Sequence, residues 1–179
     1  GSFDKRKDLI TLVKAFKLLK EDRKNKHLKL VLAGQKILNG NLDVLNELES
    51  YIFTNNLSKS ILMTGYLSGA EICSLYKKAL IYVFPSIEEG FGIPVLEAFA
   101  MKTPVVSSNA AAMVEIAKGA AQHYNKGDYT ELFKTLNKLI ISKPKRIHLI
   151  EKGSERLKAF SREKFIKDYE QFILNSVTN

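Results

Sequence analysis

Apolar residues return every three or four positions through 8–22, where Leu9, Leu12, Val13, Phe16 and Leu19 share one face, and this spacing predicts an amphipathic helix. The run "LKLVLAG" (28–34) then reads as a short buried strand closed by a glycine. Leu42, Leu45, Leu48 and Ile52 repeat the helical spacing, and "SILMTG" (60–65) repeats the strand. Ser68 with Glu71 forms a capping-box pattern that starts a helix running to about Lys78. The most hydrophobic strand candidate, "LIYVFPS" (80–86), comes next. Pro94 suits the first turn of a short helix to Met101, because the missing N–H costs nothing there. After it come a strand in "PVVSS" (104–108), a helix in "AAMVEIAKG" (111–119) and a weak last strand in "AAQHY" (120–124). Asp128 with Glu131 caps a helix to about Ser142, and helices near 144–159 and 161–175 finish the chain.

Short strands alternating with helices of about ten residues predict an α/β fold, a doubly wound parallel sheet covered on both faces. The layers are helix, sheet, helix, with helices closing the C-terminal end. A doubly wound sheet normally has a strand ahead of its first helix, whereas this chain opens on the loop "GSFDKRKD". The expectation is then either that Gly1 and Ser2 are foreign to the native chain, or that the first strand and whatever preceded it were cut away.

A length of 179 residues with 45% hydrophobic content suits one globular domain. No apolar run approaches the roughly 18 residues of a membrane helix, and no leader pattern opens the chain. The single cysteine, Cys73, excludes an intrachain disulfide and is expected to pack among apolar helix positions. A cytoplasmic location follows as an expectation. The formal charge of +9 brings in anionic partners: phosphates, nucleic acid or lipid headgroups. Basic residues cluster only at "DKRKD", "EDRKNKHLK" and "SKPKR", without interleaved aromatics or a recognisable module, so nucleic acid is not expected. A solvated basic face and adhesion to an anionic membrane surface both stand, the latter placing the chain at the inner face of the cell membrane.

Candidate chemistry concentrates in "YVFPSIEEGFGIPVLEAFAMKTPVVSS" (82–108). Ligands of open parallel sheets bind beyond the carboxyl ends of the strands, and "IEEGFGIP" is such a loop. Gly90 and Gly92 let backbone N–H groups approach an anion, and the helix starting near Pro94 directs its positive dipole end there. A phosphate or diphosphate site is the functional reading; a tight strand-to-helix turn is the plain one. Glu89 on the loop and Glu97 in the helix's first turn ask for hydroxyls or developing positive charge, which a sugar nucleotide offers. Glu97 also reads as a helix-dipole carboxylate. His27, His123 and His148 are far apart and read as packed or solvated, and no spacing asks for a metal.

Glu89, seven intervening residues and Glu97 resemble the E-x7-E signature of family 4 retaining glycosyltransferases of the GT-B fold. The resemblance extends to "GSFDKRKDL", "LVLAG", "ILMTGYLSGAEICSLYKKALIYVFPS" and "FSREKFIKDYEQF", and so covers essentially the whole chain. It covers only the C-terminal, donor-binding half of such an enzyme, residues 1–179, with 161–175 as its C-terminal helix. It implies that Lys7 and Arg6 contact the donor diphosphate, joined by the amides of Gly90, Phe91 and Gly92. It implies that Glu89 lies against the transferred sugar, making Glu89 and Lys7 the catalytic pair. Glu97 would bind the ribose, and Tyr66 with Leu67 would line the base pocket. The donor would be GDP-mannose or a UDP-sugar, and no further cofactor is required. Configuration would be retained, with amides and cations stabilising the charge that grows on the phosphate. The family pattern is departed from at Ser2, where an arginine is common, at Arg162, where an aromatic is common, and in the missing N-terminal acceptor domain.

Two other readings share these features. A UDP-sugar epimerase has the same two-domain shape but is expected to carry different loop carboxylates and histidines. A binding module without turnover, using its basic surface on a membrane or a partner, would have no need of both Glu89 and Glu97.

Overall fold

The computed structural model describes residues 3–34, 42–161, 163, 164, 166, 170 and 171. A 3-10 turn at Lys5–Lys7 leads into α1 (Leu9–Glu21), and a second at Arg23–Asn25 precedes β1 (Leu30–Leu32). Then come α2 (Leu42–Thr54), β2 (Ile61–Met63), α3 (Gly69–Lys78), β3 (Tyr82–Phe84) and α4 (Ile93–Ala100). The order continues through β4 (Val105–Ser108), α5 (Ala111–Ala117), β5 (Gln122–Tyr124), α6 (Tyr129–Ile141) and α7 (Lys143–Leu157), with a 3-10 turn at Lys158–Phe160. Each α-helix and strand described here answers to a segment that spacing, capping or proline predicts, whereas the three 3-10 turns were not predicted, and the strands are shorter than the apolar runs that announce them. Apolar residues just outside the paired residues still enter the core, which lengthens the hydrophobic signal beyond the ladder itself. Ser2, Arg162 and most of 161–175 lie outside the described residues; Glu163, Lys164, Ile166, Glu170 and Gln171 are helical.

Among the described residues the paired strands are all parallel, with one isolated antiparallel bridge between Gly34 and Gly65. They form two ladders, β1–β2 and β3–β4–β5, and the inner strands β1 and β3 are not hydrogen-bonded to each other. α1 unites the ladders instead, since Leu12, Val13 and Phe16 share one core with Leu32 of β1 and Val106 of β4. The neighbouring Val105 faces the opposite core, among Phe84, Val95, Phe99, Met113 and Ile116. Successive strand residues point to opposite faces, so this one pair of valines records the predicted three layers. Leu48 of α2 and Leu132 of α6 join α1's layer, and Val95 of α4 and Met113 of α5 lie in the other.

Cys73 departs from expectation, because its side chain is exposed. Helix α3 buries Tyr76 and half-buries Ile72 and Leu75, an i, i+3, i+4 stripe, and Cys73 stands about 100° round the helix from Ile72. Among the histidines, His27 and His148 are exposed, and half-buried His123 on β5 has its Nδ1 3.0 Å from Ser107 Oγ. No helix among the described residues is long and apolar enough to cross a membrane.

Candidate functional site

The carboxyl ends of β3 and β4 meet the turn that precedes α1. Asp4 caps that turn by accepting from the Arg6 N–H at 3.0 Å, and the Ile87 N–H donates to the Arg6 carbonyl at 2.8 Å. This backbone bond ties the first residues of the chain to the loop after β3 and sets Lys7 inward. Lys7 Nζ makes a partly buried ion pair with Glu89 Oε1 and stands 5.1 Å from the centroid of the Phe84 ring. Two residues 82 positions apart are thereby joined at the loop chosen by motif. Arg6, by contrast, turns outward and pairs with Asp4 at 3.5 Å.

Glu89 is further held by Ser86, whose fully buried Oγ donates to Glu89 Oε1 at 2.7 Å. The Ser86 carbonyl in turn accepts from Ser108 Oγ, linking the ends of β3 and β4. Both donors occupy Oε1, and among the described residues Oε2 accepts nothing.

Beyond Glu89 the backbone turns through Gly92, whose φ of 96° lies in the left-handed region where glycine is favoured. A Cβ there would come within 2.5 Å of the Met113 side chain, so conformation and packing both demand glycine. α4 starts immediately after, with Pro94 in its first turn. The N–H groups of Gly90, Phe91 and Gly92 find no acceptor among the described residues; Gly90 and Phe91 are exposed at the helix's positive end, whereas Gly92 is buried. Phe91 is half exposed and packs edge-on against Phe160, with centroids 6.1 Å apart.

Glu97 is not in the first turn of α4, as the sequence suggested, but is the fifth residue of Ile93–Ala100 and so in the second. The helix begins at Ile93 and not later, which moves Glu97 away from the dipole's N-terminal end and weakens the helix-dipole reading. Its carboxylate accepts instead from the Tyr76 hydroxyl of α3 at 3.1 Å. Burial pushes the phenol of partly buried Tyr82 well up, and the charges of Tyr76, Glu97 and Glu89 add to that shift. Tyr66, 75% exposed, and half-buried Leu67 follow β2 at the rim and touch neither carboxylate.

The geometry thus joins Lys7 to Glu89 directly, with the Gly-Phe-Gly turn following Glu89 in the chain, sets Glu97 in the second turn of α4, and leaves Arg6 and Tyr66 to solvent. Sequence reasoning missed Ser86 and Tyr76. The first could have been suspected from its place three residues before Glu89; the second had no local signal, because α3 and α4 meet only in the folded chain. A cavity of about 410 Å³ opens on the other flank of the loop, between Ile87, Glu88, Lys126 and Gly127.

Residues 1–156 match the family described as "Glycosyl transferases group 1". A serotype-specific mannosyltransferase, WbdA of Escherichia coli, is 30% identical over 137 residues, which are 75% of this chain and 16% of that protein. The O-antigen chain mannosyltransferase RfbU of Salmonella typhimurium is 35% identical over 92 residues, 51% of this chain and 26% of that protein. This chain therefore spans only a minor part of these relatives. Among solved structures, the C-terminal domain of a glycosyl transferase group 1 family protein (LpcC) from Francisella tularensis superposes with a TM-score of 0.78 at 26% identity, covering 89% of this chain and 82% of that one. Anabaena HepE, solved in complex with UDP, shares the fold with a TM-score of 0.82 at 19% identity, over 99% of this chain and 47% of its own. On the match over residues 1–156, the chain belongs to the glycosyl transferases group 1 family.

Proposed function

We propose that this chain is the donor-binding half of a family 4 retaining glycosyltransferase that transfers a hexose, mannose before others, from a nucleoside diphosphate sugar to a glycan or lipid-linked acceptor. The observation that carries the reading is the Lys7–Glu89 ion pair beside a glycine turn whose exposed Gly90 and Phe91 N–H groups have no acceptor among the described residues. A cation and unpaired N–H groups suit a diphosphate, and a carboxylate beside them suits sugar hydroxyls. Lys7 would turn from Glu89 to the leaving phosphate as charge develops there, and Glu89 would orient the sugar. Glu97, one turn along, would bind the ribose, while Tyr66 and Leu67 would flank the base. Arg6 would reach the diphosphate from outside the ion pair. The acceptor would be held by an N-terminal domain, and the basic surface would rest on an anionic membrane from the cytoplasmic side.

Relatives named as mannosyltransferases favour mannose, and neighbours solved with UDP or UDP-glucose keep the choice of base a matter for measurement. Calorimetric titration with GDP, UDP, ADP, GDP-mannose and UDP-glucose tests the assignment. One diphosphate is expected to bind, and Glu97→Ala to weaken it about tenfold, the loss of roughly one charged hydrogen bond. Glu89→Ala is expected to spare the diphosphate and abolish the extra affinity of its sugar conjugate. Equal loss of diphosphate and conjugate in Glu89→Ala would overturn the sugar assignment.

A further inference from the structure

Glu97 is an exposed side chain on a helix, and such a glutamate ordinarily samples several rotamers. Holding it for a ligand costs that rotamer freedom on binding. Tyr76 is the opposite kind of residue, only 8% exposed and fixed on three sides. Its carbonyl accepts from Thr103 Oγ1 at 2.7 Å, its ring packs edge-on to Tyr82 with centroids 4.9 Å apart, and its hydroxyl reaches Glu97 Oε2 at 3.1 Å and the Pro94 carbonyl at 3.4 Å. Only Oε2 is taken; Oε1 accepts nothing among the described residues.

We propose that Tyr76 is a positioning residue, which restrains the Glu97 carboxylate before any ligand arrives and leaves Oε1 as the oxygen presented to a vicinal diol. The inference rests on the reading of Glu97 as the ribose ligand, and it adds a residue from α3 to a candidate site drawn from the turn before α1, the loops after β2 and β3, and α4. One rigid donor on one oxygen sets the carboxylate plane, and with it the direction of the remaining lone pairs. Burial pushes the Tyr76 phenol far up, so it stays protonated and remains a donor wherever the protein is folded. The arrangement also couples α3 to α4 through a side chain that touches no ligand.

The experiment is a double-mutant cycle read by calorimetry with GDP and UDP as probes. Tyr76→Phe keeps the ring and removes only the hydroxyl. It is expected to weaken the bound diphosphate about fivefold to tenfold, the equivalent of one long side chain's rotamer freedom. In a Glu97→Ala background the same change is expected to do nothing, because the effect passes through the carboxylate. Equal weakening in both backgrounds would overturn the proposal in favour of a general packing role, and so would an unchanged affinity in Tyr76→Phe while Glu97→Ala weakens binding. If Glu97→Ala itself has no effect, or neither probe binds, the ribose assignment fails instead. A ligand-free crystal structure of Tyr76→Phe then decides the positioning role separately. A Glu97 side chain spread over several rotamers supports it, and one left in its original single position refutes it.

Discussion

On β4, Val105 and Val106 are fully buried, whereas Val31 on β1 and Leu62 on β2 are 37% and 59% exposed. The two-stranded ladder is the more apolar in sequence, yet the three-stranded one lies between two layers of helices, while among the described residues the two-stranded one packs mainly with α1 and α2. The proposed site residues divide along the same line. Glu89, its Ser86 donor and the Gly-Phe-Gly amides sit on the densely packed half, and Tyr66 with Leu67 sits at the end of the thin one. On the proposed roles, groups that must be held closely would rest on the densely packed half, and groups that need only offer a face to a ligand would rest on the looser rim.

The strongest way to break this contrast is to remove apolar bulk from each half. Phe99→Ala, from a side chain 2% exposed beneath α7, is expected to cost about 3–5 kcal/mol, and Leu62→Ala less than about 0.5 kcal/mol. Denaturant titration measures both, and similar losses would mean that the thin ladder is buried in solution. A second comparison uses two left-handed glycines. Gly65→Ala meets nothing within 4 Å and is expected to lose only the backbone term of about 1–2 kcal/mol, while Gly92→Ala must also displace the Met113 thioether and is expected to lose more. Equal melting temperatures for the two variants would show that Met113 yields freely.

The smallest effect concerns His123. Burial lowers its pKa below the ordinary 6.5, against a weaker upward pull from the Ser108 carbonyl. The unfolded chain takes up a proton near 6.5 while the folded chain resists, so stability is expected to fall as pH drops below 6.5 until the folded imidazole is protonated too. His123→Gln should flatten that part of the profile; an unchanged slope would assign it to other groups.

The order of elements was legible because each announces itself locally. Leu9, Leu12, Val13, Phe16 and Leu19 mark α1 by spacing, Ser68 and Glu71 mark the start of α3 by the capping box that the structure forms, and Gly92–Pro94 marks the start of α4. Glu89 and Lys7 were legible as types of residue, and the fold brought them into contact. Less legible were features that depend on a second element. Cys73 sits in an apolar-looking segment, and only the direction in which α3 packs turns it to solvent. Arg6 adjoins Lys7 in sequence, yet the capped turn sends the two side chains opposite ways.

By itself, then, the sequence determined which segments are helices and strands, the glycine-dependent turn between two carboxylates and the excess of positive charge, since each follows from interactions within a few residues. The tertiary structure alone decided that Lys7 meets Glu89 across 82 positions, that Tyr76 holds Glu97 across 21, and that the parallel strands divide into a ladder of two and a ladder of three. Such pairings arise when separate layers close on a common core, and the hydrophobic effect that closes them is non-directional, so no local pattern names the partners in advance.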